Sequence, residues 1–400
     1  MLAQLSALIN ENKTDEAKKY FSEVINPSFK SFSSYDTSFI LLDNKYSSFI
    51  PDKDSLERLT IHKDINHQNC NSKVEKLIPL INKLPIKQEW KIPSQKIKDY
   101  NATNPSIIVN PDNSDEYILN VRHVNYHCDE KNQYHCNNSK ETIVHTKNII
   151  YICDKDKFDE PKKTILLTDN TEFIKYPSPV QDLEDIRLVV RNTNEIWCSA
   201  TSREYLPSTT PQIILSEIKW PQKQINYGLR LIAHDPQLTE IVQKNWLPFM
   251  DKSSNQLRFI YSFGPKMIIY GIDEFTGKCF VDKSYDTYLS FQQARGGSSP
   301  IPFSIKGTNV AFICSVHFAF DKTDIRRKYF HRFIMLDQHY KPLFITESWY
   351  LLDPHSIEFV ISACVASPES IYLGVGHNDV EAYIMEINNS DIEALKRYSI

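Results

Sequence analysis

From residue 105 to residue 387 short apolar runs follow one another at close spacing, and helical periodicity is nearly absent. The runs fall at 107–109, 117–126, 142–153, 186–190, 195–202, 212–218, 257–263, 267–272, 310–318, 332–336, 343–348, 357–365, 371–376 and 380–387. Short strands separated by turn residues predict a sandwich, a barrel or a propeller. A unit recurs near residues 117, 186, 257, 310 and 357: a strand bearing an Arg or an acid, a turn, a second apolar strand, then an outer strand. Its period is loose, roughly 50–70 residues, and five occurrences fit five blades of a β-propeller.

The first hundred residues differ. Leu2, Leu5, Leu8, Ile9, Ala17, Tyr20, Phe21 and Val24 return at three- and four-residue steps around a polar turn at 10–14, which predicts a helical hairpin. A lone hairpin cannot bury its own apolar face, so it must dock on a blade or join two copies as a homo-oligomer contact. Residues 27–70 have poor periodicity apart from a short strand at 39–42, a second helix is expected over 72–84, and 90–104 reads as an extended linker. The expected division is a helical and irregular segment over 1–100 and an all-β domain over 101–400.

Composition closes off several functions. With 46 basic against 50 acidic residues the net charge is -4, which offers no polycationic face for nucleic acid. No window is apolar enough for a membrane span, and the opening segment, carrying Glu11, Lys13 and Asp15, is not a secretory signal; a cytoplasmic protein is expected. The 8 Cys are scattered, which favours reduced thiols. No phosphate-binding glycine loop, dinucleotide fingerprint or Gly-x-Ser-x-Gly elbow occurs. His123, His127, Cys128, His135 and Cys136 cluster, but their spacing fits no standard zinc site, and no metal is expected.

Three segments between the strands have the wrong make-up for a core: Leu183-Glu184-Asp185-Ile186-Arg187, Lys244-Asn245-Trp246-Leu247-Pro248-Phe249 and Arg295-Gly296-Gly297-Ser298. Taken singly they are ordinary loops and surface ion pairs. At strand ends lining one pocket, their amides, cations and indole would suit a polyhydroxylated ligand. Arg187, Lys244, Arg295, His317, Tyr329 and His331 are donors that would hold an anion. Arg122, Asn125 and Tyr126 end the first inner strand, and Asn245, Trp246, Glu358 and Asp379 stand at analogous places; these suit a sugar-binding wall, with Trp246 stacking on a pyranose. Glu358, a lone charge in an apolar strand, is either paired or functional.

The order Glu-Asp-x-Arg, Lys-Asn-Trp-x-Pro-Phe, Arg-Gly-Gly-Ser, an isolated His and a late Asp resembles the mannoside phosphorylase group, glycoside hydrolase family 130, and its viral and protozoan glycosyltransferase-like relatives. The resemblance covers residues 104–387, with Ile186 where the family usually has Pro. It implies a five-bladed propeller and a mannoside phosphorylase or mannosyltransferase, with Asp185 as the acid that protonates the glycosidic oxygen. It also implies that the anion-binding residues receive phosphate, a sugar 1-phosphate or a sugar nucleotide as substrate, with no cofactor. Partial desolvation is expected to raise the Asp185 carboxyl towards the working range. The reading from another class is a propeller that only binds glycan or protein.

Overall fold

The computed structural model describes residues 81–400 apart from 95–96, 130–132, 172–174, 193–194, 221–222, 239–240, 252, 265, 288–293 and 323–324. The hairpin expected over 2–24, the strand at 39–42 and most of the helix at 72–84 lie outside these residues.

Each long run becomes a strand because it buries both faces, and neighbouring runs pair as antiparallel meanders. Sheet I contains Asn101–Val109, Glu116–Val124, Thr146–Asp154 and Lys163–Leu166. Sheet II is built on Glu184–Asn192, Glu195–Ser202 and Gln212–Lys219, with three two-residue strands at its outer side. Sheet III contains Leu247–Asp251, Gln256–Ser262, Lys266–Ile272 and Cys279–Asp286. Sheet IV is built on Phe312–Lys322, Ile325–Leu336 and Pro342–Thr346, and Arg295–Gly296 pairs with the first of them. Sheet V contains Glu358–Ser367, Ser370–His377 and Glu381–Asn388, completed by Gln88–Lys91.

Buried apolar clusters join each sheet to the next. Ile118 and Ile150 meet Ile186 and Leu188 between sheets I and II. Trp197 and Leu215 meet Trp246 and Phe259 between II and III. Leu247 and Ile260 meet Val316 and Ile334 between III and IV. Ile313 and Phe333 meet Val375 and Met385 between IV and V. Tyr372 and Ile384 then pack on Tyr117 and Leu119, returning from sheet V to sheet I. The sheets therefore close on themselves in a propeller arrangement. The inner strands Asn101–Val109, Glu184–Asn192 and Glu358–Ser367 lie against one another at the centre.

Two sequence expectations fail here. Residues 82–83 are a strand and not the end of a helix: Asn82–Lys83 pairs in parallel with Trp349–Tyr350. The start of the expected linker is also a strand, because Trp90 is buried against Phe158 and Tyr372 with ring centroids 5.1 and 5.9 Å apart. Both strands add to sheets formed some three hundred residues later, and local sequence carries little trace of so distant a partner. At the other end, the short helix Asn389–Ala394 buries Ile392 against sheet V.

Candidate functional site

Asn104, Asp185, Asn245, Asn378 and Asp379 have φ of 45, 55, 60, 53 and 57°. Asn and Asp tolerate this left-handed region better than other side-chain-bearing residues, at a cost of about 1 kcal/mol each. Asp185, Asn245, Asn378 and Asp379 lie at or beside ends of strands on sheets II, III and V, and Asn104 lies at a register shift within Asn101–Val109 of sheet I. Ile186 follows this plan: its side chain is fully buried among Ile118, Leu183 and Leu188, so it anchors the turn by packing where Pro would have fixed φ.

Asp185 is the centre of the resulting cluster. Its carboxylate accepts from the Asn104 amide at 2.8 Å and from Arg122 Nη1 at 3.0 Å, and its side chain is 17% exposed. Arg122 also lies 3.7 Å from Glu184, whose carboxylate is 3.6 Å from Lys244 Nζ. Burial would raise the Asp185 carboxyl, but Arg122, the Asn104 amide, Arg187 and Lys244 together outweigh it and hold the group below its ordinary value. The expected upward shift is therefore reversed: at neutral pH Asp185 is an ionised carboxylate among cations.

A second carboxyl stands on the other side of Arg122. Arg122 Nη2 donates to the Tyr126 hydroxyl at 3.5 Å, and that hydroxyl donates to Asp379 at 3.4 Å. Burial raises the Asp379 carboxyl, opposed by Arg122 and reinforced by the charge of Asp185. One arginine thus sits between two acids pushed in opposite directions, an arrangement typical of sites that move protons.

The residues expected to hold an anion divide into two groups. Arg187 is buried beside Asp185, and its guanidinium donates to the Asn245 side chain at 3.4 Å and to the Gly297 and Gly296 carbonyls at 3.3 Å. Gly297 itself packs closely on its neighbours: a Cβ there would lie 2.5 Å from Ser315 Oγ and 2.8 Å from the Val360 carbonyl. Lys244, with a third of its side chain exposed, and exposed Arg295 offer cations to the outside. Tyr329 stacks on His317 at 5.0 Å, and His317 pairs across the strands with Arg295 and His331. Burial first, then the cations around it, push His317 far below its ordinary value, so it is a neutral imidazole and not a cationic anion ligand.

Four residues expected on the sugar wall or at the anion site are placed elsewhere. Trp246 is 2% exposed, sits edge-on to Tyr261 and Tyr270 at 5.1 and 5.4 Å, and donates its indole N–H to Gln243, so no ring face is left for a pyranose. Asn125 is fully buried, donates to Glu141 and the Ile143 carbonyl and accepts from the His145 amide, so its side chain holds the loop. Glu358 is fully buried and accepts from the Leu351 and Leu352 amides at 2.8 and 2.6 Å, and burial pushes its carboxyl up to about 7. His331, 3.6 Å from Glu358 and packed on Trp349, is pushed down to about 3 by burial. Near neutral pH the imidazole is uncharged, so this contact is not a permanent ion pair.

Asn104 and Glu184 were absent from the expected site. Asn104 fell within the supposed linker, and its signal was the Asn-Pro pair itself, since an Asn before Pro often marks a turn. Among the described residues no helix is long and apolar enough to cross a membrane, and no group of three or more His, Cys, Asp or Glu is placed to hold a metal.

No protein-family profile matches the chain, and no curated protein matches it. Several solved structures are similar to it at low identity. A β-1,2-mannobiose phosphorylase from Listeria innocua is 12% identical over 76% of this chain and 98% of its own, with a TM-score of 0.49. A GDP-Man-dependent mannosyltransferase from Leishmania mexicana is 13% identical over 80% and 94%, with a TM-score of 0.47. A mannose phosphorylase from Leishmania mexicana is 12% identical over 79% and 92%, with a TM-score of 0.46.

Proposed function

We propose that the five main sheets are five blades and that the protein is a glycan-active enzyme, a mannoside phosphorylase or a mannosyltransferase, with Asp185 as its acid and base. The observation that carries this reading is the partly exposed Asp185 carboxylate, held on a left-handed residue among Arg122, Arg187 and Lys244. An ionised carboxylate in that field has no proton to donate. A phosphate group beside Lys244 and Arg295 would cancel part of the field and raise the Asp185 carboxyl into a range where it can serve as an acid. In phosphorolysis a phosphate oxygen then bonds to the anomeric carbon as the glycosidic C–O bond breaks. The proton passes from Asp185 to the leaving oxygen, and Asp185 regains one from the phosphate. With phosphate as the nucleophile, neither Asp379 nor Glu184 has to activate water or attack the sugar as a second carboxylate does in hydrolysis.

A second reading, a propeller that binds glycan or protein without chemistry, is favoured by one observation: the Arg187 fork is already occupied by backbone carbonyls and Asn245. Parallel incubation with mannose 1-phosphate and with GDP-mannose, over a panel of mannoside acceptors, tests both readings. Product from one donor alone separates phosphorylase from transferase, and product from neither favours the binding reading. Phosphate should also raise the melting temperature by mass action, and Lys244→Ala with Arg295→Ala should abolish that rise.

A further inference from the structure

A two-stranded ribbon, Tyr126–Cys128 with Tyr134–Cys136, continues from the inner side of sheet I. Its register puts Tyr126 opposite Cys136 and Cys128 opposite Tyr134, so these four side chains share one face, while His127 and His135 face each other on the opposite side. The face that carries the tyrosines is the one turned towards the candidate site, because the Tyr126 hydroxyl reaches Arg122 and Asp379. Tyr134 stands edge-on to Tyr126, with ring centroids 4.8 Å apart and an interplanar angle of 86°. Arg327, from sheet IV, donates to the Tyr134 hydroxyl at 3.4 Å. Burial and then the nearby Asp379 charge raise that phenol, opposed by Arg327.

Tyr134 is nevertheless 51% exposed. An aromatic held at one edge by another ring and at its tip by a guanidinium, with much of its ring open, is preorganised for stacking and loses little entropy on binding. Successive contacts link it to Asp185 through Tyr126 and Arg122, so it stands beside the Asp185 carboxylate and not at it. We propose that Tyr134, steadied by Arg327, is the stacking platform for a second sugar ring and makes the site select oligosaccharides over single sugars. The inference rests on the reading of Asp185 as a glycan site, and it supplies from the ribbon the aromatic face that the buried Trp246 does not.

The test is calorimetric titration of mannose, mannobiose and mannotriose into the full chain and into Tyr134→Ala and Tyr134→Phe. The wild type should bind the longer chains more tightly than mannose. Tyr134→Ala should lose about 3–10-fold in affinity for the di- and trisaccharide, with mannose affinity unchanged. Tyr134→Phe keeps the ring but loses the Arg327 bond, so its affinity for the longer chains should fall between those of the wild type and Tyr134→Ala. Undiminished binding of the longer chains by Tyr134→Ala would overturn the platform. Mannose binding with no gain on chain extension would overturn it while leaving the Asp185 reading intact; failure of the wild type to bind any of the three would overturn both.

Discussion

Trp246 and Glu358 show how a polar or aromatic residue in an unusual place announces importance without announcing its kind. An indole beside Lys and Asn reads equally as a sugar platform or as an anchor, and only its neighbours, Tyr261, Tyr270 and Gln243, decide for the anchor. Trp246→Ala is therefore expected to cost about 3–5 kcal/mol in urea unfolding, a cavity effect between sheets II and III. Loss of mannoside affinity at unchanged stability would contradict that placement. Glu358 is legible as a charge needing partners, but those partners are amides of the turn at 351–352. Its carboxyl, ordinarily near 4.5, is raised to about 7, so the folded state holds the proton more tightly than the unfolded chain does. The resulting stabilisation is complete below about 4.5 and is lost as pH rises through 7, amounting to about 3 kcal/mol. The difference in unfolding free energy between wild type and Glu358→Gln should follow that window; a pH-independent difference would show that the carboxyl is not perturbed.

Among elements, strands that bury both faces were the legible ones. Glu195–Ser202 coincides with its expected run, and Gln212–Lys219 extends it by a single residue. Cys279–Asp286 escaped detection because it is an outer strand that leaves Phe280 and Val281 45% and 42% exposed, without an apolar face to mark it. Leu247–Asp251 escaped because its composition resembled a binding loop. Sheets I and V meet closely at the site, where a Cβ on Gly376 would stand 1.8 Å from Asn104 Oδ1. Gly376→Ala must displace the amide that donates to Asp185. We expect a loss of about 1–3 kcal/mol in stability, measured by denaturation, together with impaired turnover. Full activity and stability in that variant would mean that Asn104 does not position Asp185.

For the molecule as a whole, the ring explains why residues as far apart in sequence as Tyr126 and Asp379 converge. Each inner strand starts or turns near the centre, so Arg122, Asp185, Lys244 and Asp379 come together although each belongs to a different part of the chain. The order of the motifs was legible in the sequence; their electrostatics were not. A carboxylate at a funnel mouth suggests desolvation, whereas the folded chain surrounds Asp185 with enough cation to reverse the shift. Its lowered value also means that its stabilising contribution is present above the ordinary carboxylate range and is lost as pH falls through the folded value. The most direct measurement of the central claim is turnover by Asp185→Asn with whichever mannosyl donor the wild type accepts. Asn retains an oxygen for Arg122 and the Asn104 amide but has no proton to exchange, so turnover should fall by about 10²–10⁴ with mannoside affinity largely kept. Turnover equal to that of the wild type would contradict the account and remove Asp185 from the chemistry.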